Sequence, residues 1–383
     1  MTTPQTRVSR GEIQRRHASI RKAMEETEVD ALVIGCAPRG DRRGVLRYVV
    51  DSYLQLFEEF AVIPQEGPIG YFAHDKARAE YIDDLHLVEH TDILDPAEPG
   101  GKVAAFAKRA GPGRIGLCGT DSLSAKYYLS LINSLDGYAL ADFTKSMDGV
   151  RMVKSDEEIN ISSNAVKLNE ETFKAWLASV REGEEKAKSF ARASSFAAEA
   201  GCEDQYWLAS FGASSPLCLP HALDGSGTWK KGDSGVVVLE HTAAGGYFGE
   251  VMRTCFLGSV SREAEEAFTT ISRILQLAGS AIKAGITAGE IADLIDGYLV
   301  EYGFLSIDDT GKPHGHGQGL DITEPPLLVS GDPTVIKPGT RLNIHPRIKL
   351  ASGLEITSTD CYVATESGSI RLSTLPHEPM AIR

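Results

Sequence analysis

Hydrophobic positions change their spacing along the chain, and the changes divide it into elements. Residues 11–27 carry Ile13, Ile20 and Met24 at helical spacing, which predicts an amphipathic helix. The apolar run 31–36 suits a buried strand, and 60–63 and 69–72 suit two more. Residues 103–110 read as helix and 114–118 as strand again. This alternation predicts an α/β first domain. Ser155 with Glu158 three residues later forms a capping box, so a helix is expected from there to 180. A helix over 184–200, a turn at 224–227 and strands over 236–240 and 247–257 follow. Helices over 261–284 and 288–303 and strands over 340–349 and 354–364 complete the pattern. Strands and helices are grouped there rather than alternating, which reads as α+β. The expected domains are 1–150 and 151–383.

The strands of the second half carry polar residues where apolar ones would be ordinary. Side chains alternate along a strand, so Glu240 shares a face with Val236 and Val238, and Glu250 with Met252 and Thr254. Pro313-His-Gly-His-Gly-Gln-Gly319 sets His314 and His316 among glycines, which allow close backbone approach. His345 interrupts an apolar strand, and Thr357-Ser-Thr-Asp360 places hydroxyls and a carboxylate in another. Each has a plain explanation taken singly: a satisfied core histidine, a strand end in solvent, a tight turn. Their order along the chain is what gives them weight.

Composition narrows the partners. The chain has 383 residues, 42% apolar and 24% charged, with a net charge of −14. Phosphate backbones and anionic membrane surfaces attract basic proteins, so nucleic acid and membrane are not expected partners; a small-molecule substrate is. No apolar run is long enough to span a bilayer, and residues 1–16 lack the apolar core of a signal peptide, so a cytoplasmic location is expected. The six cysteines are scattered, without a Cys-x-x-Cys pair, and read as thiols of a reducing compartment. Cys218 near His221 could be a nucleophile, but spacing alone does not make a catalytic pair.

Arg151-Met-Val-Lys-Ser-Asp-Glu-Glu158, Pro220-His221 with Lys231-Gly-Asp233, Gly246-Tyr247 with Glu250 and Arg253-Thr254, His314-Gly-His-Gly-Gln-Gly-Leu320 with Glu324-Pro-Pro326, and Lys337-Pro-Gly-Thr340 with His345-Pro346 occur in that order. With Arg47-Tyr48 in the first half, this series resembles the creatinase, prolidase and methionine-aminopeptidase superfamily. The resemblance implies an α+β "pita-bread" catalytic domain behind an α/β creatinase-like N-terminal domain. It also implies a homodimer in which first-domain residues reach the neighbour's site.

Metallopeptidases of that superfamily hold two metal ions with Asp, Asp, His, Glu and Glu. The matching positions here are Glu240 (or Leu239), Glu250, His316, His345 and Thr359, and a further catalytic histidine is replaced by Thr323. Two divalent cations need more anionic donors than this set supplies. The expectation is therefore a protein without metal or other cofactor; the alternative is one divalent ion at Glu240, Glu250, His316 and His345. Creatinase, a metal-free member of the superfamily, has an acid/base histidine matched by His221, whereas Met252 occupies the position of one guanidinium-binding glutamate and Phe57-Glu58-Glu59 lies where its carboxylate-binding arginine falls. The leading expectation is a metal-independent hydrolase of an amide- or amidine-like C–N bond in a small nitrogen-containing metabolite. His221, Glu250, His316 and His345 are its expected catalytic residues, and Glu240, Thr323, Asp360, Arg253 and Glu58 its substrate contacts. The alternatives are an Xaa-Pro-type metallopeptidase with a mononuclear site, an inactive binding protein, and a lyase on a similar substrate.

Overall fold

The computed structural model describes residues 7–38, 42–53, 56–111, 113–211, 227–304 and 312–382. The chain forms two compact units, Arg7–Arg151 and Met152–Arg383.

The first unit is built on a six-stranded sheet. Its order is His90–Ile93, Gly70–Ala73, Glu59–Pro64, Ala31–Cys36, Arg114–Cys118, Ala139–Asp142. The central strand Ala31–Cys36 runs antiparallel to Glu59–Pro64 and parallel to Arg114–Cys118. It is buried along its whole length, as its unbroken apolar run requires. The first helix, Arg10–Glu26, buries Ile13, Ile20 and Met24. The helix expected at 103–110 begins earlier, at Pro99, and ends as a tight turn over Lys108–Ala110.

The second unit places a pair of helices against each of two sheets. The four-stranded sheet runs Met380–Ile382, Val251–Leu257, Ser234–Leu239, Trp207–Phe211. Helix Asp156–Ser179, opened by the Ser155–Glu158 capping box, and helix Lys186–Glu199 pack against it through Phe173, Trp176, Phe190, Val237, Leu239 and Val251. The five-stranded sheet runs Glu324–Leu327, Gly315–Gly317, Arg341–Ile344, Asp360–Ala364, Ser369–Arg371. Helices Arg262–Ala281 and Ala288–Glu301 cover it through Phe268, Ile271, Ile291, Leu342 and Ile344. A bridge between Arg253 and Ser358 joins the two strand systems.

Alternation then decides what faces inward. Val237 and Leu239 go to the helix-covered core, while Val236, Val238 and Met252 form a small apolar cluster of their own. Glu240 follows Leu239 on the side of Val236 and Val238, and it lines the same cavity as Val238 and Met252. Long strands expected from the apolar pattern are broken in two. Strand 340–349 divides into Arg341–Ile344 and Arg347–Lys349 at His345-Pro346, where proline has no amide hydrogen for the ladder. Strand 354–364 divides into Glu355–Thr357 and Asp360–Ala364. Both breaks turn side chains toward the site.

Candidate metal centre

Glu250 sits immediately before strand Val251–Leu257. Gly249 allows this placement: a Cβ there would stand 2.5 Å from the Ala165 backbone, so only glycine lets the chain pass so close to the helix. Both carboxylate oxygens of Glu250 are fixed. Asn343 Nδ2 donates to Oε2 at 2.8 Å, and Thr359 Oγ1 donates to Oε1 at 3.0 Å.

His316 lies in the short strand Gly315–Gly317. The glycine before it is required, since a Cβ at Gly315 would stand 2.1 Å from the Asn343 carbonyl oxygen on the neighbouring strand. Nδ1 of His316 lies 2.8 Å from the Gly317 carbonyl oxygen. A carbonyl only accepts, so Nδ1 carries the hydrogen, and in the neutral ring the lone pair is on Nε2. That nitrogen is 3.5 Å from Glu250 Oε2. Two lone pairs face one another across a gap that a shared cation would fill. Two donors on a tetrahedral ion with bonds of about 2.0–2.2 Å are roughly 3.3–3.6 Å apart, which this spacing matches.

His345 completes the set. It follows strand Arg341–Ile344, its backbone N–H donates to the His314 carbonyl at 2.8 Å, and its ring packs 5.4 Å from that of His316. Burial holds its basicity well below the usual histidine range, and the charge of Arg347 adds to this. The ring is therefore neutral, the form that binds metal. Its Nδ1 is buried without a hydrogen-bond partner. Donor atoms of Glu250, His316 and His345 all lie within 4.8 Å of one another. One carboxylate and two imidazoles suit Zn, Fe or Mn. Among the described residues, then, the donor set fits a single divalent cation.

Glu240 lines the same cavity, which has a volume of about 250 Å³ and is walled by Leu208, Val238, Met252 and Pro313. Burial, and next the charge of Glu250, push the Glu240 carboxyl well above the usual range. Gln318 Nε2 donates to its Oε1 at 3.2 Å, and Arg341 in turn donates to Gln318 Oε1 at 2.8 Å. Behind the site, Lys154 and Glu324 form a buried ion pair at 2.7 Å.

The structure brings together Glu240, Glu250, His316, His345 and Thr323, with Thr323 at the exposed edge of the cavity. It directs other candidates elsewhere. Arg253 is buried and donates to the carbonyls of Met252 and Thr359, each at 2.8 Å, so it braces backbone instead of facing the cavity. Asp360 is bound by Arg371 at 2.8 and 2.9 Å and by His377 at 2.8 Å; burial would raise its carboxyl, but these partners hold it below the usual range. Its charge is thus committed to the chain itself. Glu58 belongs to the first unit and accepts from Ser124. His221 and Cys218 lie outside the described residues. Asn343, Gln318 and Arg341 were absent from the candidates read in the sequence. Asn343 could have been found there, because it stands two residues before His345 and alternation places both on one face.

Residues 161–374 match the sequence profile of metallopeptidase family M24. The chain belongs to that family. Its M24 relatives include the probable dipeptidase PepE of Mycobacterium tuberculosis, 26% identical over 296 residues, covering 76% of each chain. The Xaa-Pro dipeptidase of Pyrococcus horikoshii is 25% identical over 233 residues, covering 60% of this chain and 64% of that one. Among solved structures, dipeptidase PepE from Mycobacterium ulcerans superposes with a TM-score of 0.82 at 22% identity, covering 98% of this chain and 99% of that one. The likeness supports the two-part pita-bread architecture over nearly the whole chain.

These findings correct two expectations. A metal-independent hydrolase of a non-peptide C–N bond does not accord with relatives named as dipeptidases and Xaa-Pro dipeptidases. The expectation of no metal and no cofactor fails on the same relatives and on the convergence of Glu250, His316 and His345. Too few donors for two cations is still enough for one, which needs only three protein ligands and an open position. No helix among the described residues is long and apolar enough to cross a membrane.

Proposed function

We propose that the protein is a metal-dependent peptidase acting on short peptides, of the Xaa-Pro dipeptidase type, with a mononuclear centre. The observation that carries this reading is the convergence of Glu250, His316 and His345 on the floor of one small cavity. The names of the M24 relatives supply the bond class. Thr359 supports a single ion, because it contributes a neutral hydroxyl that donates to Glu250.

A divalent ion in this centre would polarise a substrate carbonyl and acidify water. The chain's own groups do the rest. Asn343 and Thr359 aim the Glu250 carboxylate, and the Gly317 carbonyl sets the His316 tautomer, the usual task of residues behind a metal ligand. Glu240 is the cavity carboxyl outside the three donors. Burial and, next, the charge of Glu250 raise the Glu240 carboxyl; a cation beside Glu250 would oppose the second of these and favour the ionised form. In that form its Oε2 would be placed to accept a proton from water, while Oε1 accepts from Gln318. Leu208, Val238 and Met252 give the cavity an apolar wall.

The test is a panel of dipeptides, including Xaa-Pro sequences, assayed before and after treatment with a chelator. Cleavage that disappears on chelation and returns with one equivalent of Mn, Zn or Fe is expected. Cleavage that survives complete metal removal, or no cleavage of any peptide by the loaded protein, would contradict the proposal.

A further inference from the structure

Arg341 is fully buried, and no carboxylate stands within ion-pair distance of it among the described residues. A buried charge without a partner is costly, so its presence calls for a reason. Both of its terminal nitrogens are in use. Nη1 donates to the Phe248 carbonyl at 2.5 Å and Nη2 to Gln318 Oε1 at 2.8 Å. The pairing of strand Gly315–Gly317 with Arg341–Ile344 sets Gln318 opposite Arg341, one step beyond the Gly317–Leu342 pair. A guanidinium only donates, so the Gln318 amide is turned one way, with its oxygen to Arg341 and its nitrogen to Glu240. That nitrogen is 3.2 Å from Glu240 Oε1, and it too only donates. Oε1 is therefore an acceptor whatever the charge of Glu240, and a proton on this carboxyl belongs on Oε2. Gln318 is as buried as Arg341, so water does not compete for these bonds. Burial, and next the charge of Glu250, raise the Glu240 carboxyl, whereas the Gln318 bond and the Arg341 charge pull the other way.

We propose that Gln318 and Arg341 are positioning residues of the reaction. Arg341 orients the Gln318 amide, and the amide holds Glu240 by Oε1, so that Oε2 is the oxygen that meets water or substrate. Among the described residues, neither side chain bonds to Glu250, His316 or His345. The pair thus acts on proton transfer and not on metal binding. This role deepens the peptidase reading and rests on it for the reaction, though not for the placement of Glu240.

The experiment compares wild type with Gln318→Leu and Gln318→Glu. Crystal structures of the metal-free proteins need no turnover and read the Glu240 carboxyl directly. Gln318→Leu is expected to leave it rotated or split between two orientations; an unmoved carboxyl would overturn the proposal. The second readout is the pH profile of kcat/KM on a cleaved dipeptide, with the chain loaded with Mn. A base works only when ionised, so activity falls as pH drops through its pKa. Losing a hydrogen bond to the charged form raises that pKa, and Gln318→Leu should move the acid limb upward by about one to two pH units. Gln318→Glu keeps the side-chain shape and gives Arg341 an ion-pair partner, so the fold should hold. It aims an acceptor at Glu240 in place of a donor, and the acid limb should move further still. A Gln318→Glu profile that coincides with wild type would overturn the proposal. Mn affinity, measured by calorimetry, should stay within about threefold of wild type in both variants. A loss of affinity as large as the loss of turnover would instead assign the pair to the metal donors and overturn it. No cleavage by wild type would sink the peptidase reading, and the carboxyl orientation would then decide the pair's role alone.

Discussion

His316→Ala is expected to lower turnover by more than about 100-fold and to weaken metal binding by at least as much. Losing a group that merely orients a ligand costs about 10–100-fold, and removing the ligand itself must cost more. His316 is committed to the role from both ends of its ring. The Gly317 carbonyl takes the Nδ1 hydrogen, which leaves Nε2 as the free donor 3.5 Å from Glu250 Oε2. Alanine removes that donor and leaves Gly315 and Gly317, which fit the backbone tightly, unchanged. Melting temperature without metal should therefore move little, which separates loss of function from loss of fold. Asn343→Ala, which frees one oxygen of Glu250, should give a smaller deficit within the about 10–100-fold range. Competition with a chromophoric chelator and steady-state kinetics measure both. A His316→Ala variant whose metal affinity stays within about threefold of wild type would remove His316 from the centre.

Lys154→Met is expected to lower unfolding free energy by about 3–5 kcal/mol, the usual cost of stranding one member of a buried ion pair. Lys154 Nζ and Glu324 Oε2 are 2.7 Å apart with side chains 2% and 5% exposed. The lysine also sits just before helix Asp156–Ser179, and its backbone N–H donates to the Gly339 carbonyl. Glu324 accepts from the Asp321 amide in the loop that follows the His316 strand. The pair therefore ties the start of the second unit to the segment beside the metal donors. The double variant Lys154→Met, Glu324→Leu should recover a large part of the loss, because no buried carboxylate then lacks its lysine. Urea unfolding of wild type, single and double variants provides the comparison. A single variant within about 0.5 kcal/mol of wild type would show that the pair contributes nothing net.

Much of the fold was readable because its signals are local. The Ser155–Glu158 capping box opens its helix as expected, and the apolar runs at 31–36 and 114–118 became paired strands at the centre of the first sheet. The breaks at His345-Pro346 and at Ser358 were not read, because an apolar pattern shows burial on one face and gives little warning of a chain that changes sheets. The four site residues Glu240, Glu250, His316 and His345 were legible from polar side chains in apolar strands and from the resemblance. Asp360 and Arg253 carry the same signal, a charge in a buried strand, yet Arg371 and His377 neutralise the one and backbone carbonyls hold the other. Partners such as Arg371, 11 positions from Asp360, and Thr359, 106 from Arg253, cannot be seen from the residue itself. The Lys154–Glu324 pair, 170 residues apart, is of the same kind.

The most direct test of the central claim is the metal content of the protein at saturation. Purified chain is stripped, titrated with Mn, Zn or Fe, freed of excess and analysed for metal and protein together. The Glu250, His316 and His345 set predicts one tightly held ion per chain, lost in the His316→Ala variant. Two tightly held ions per chain, or none, would contradict it.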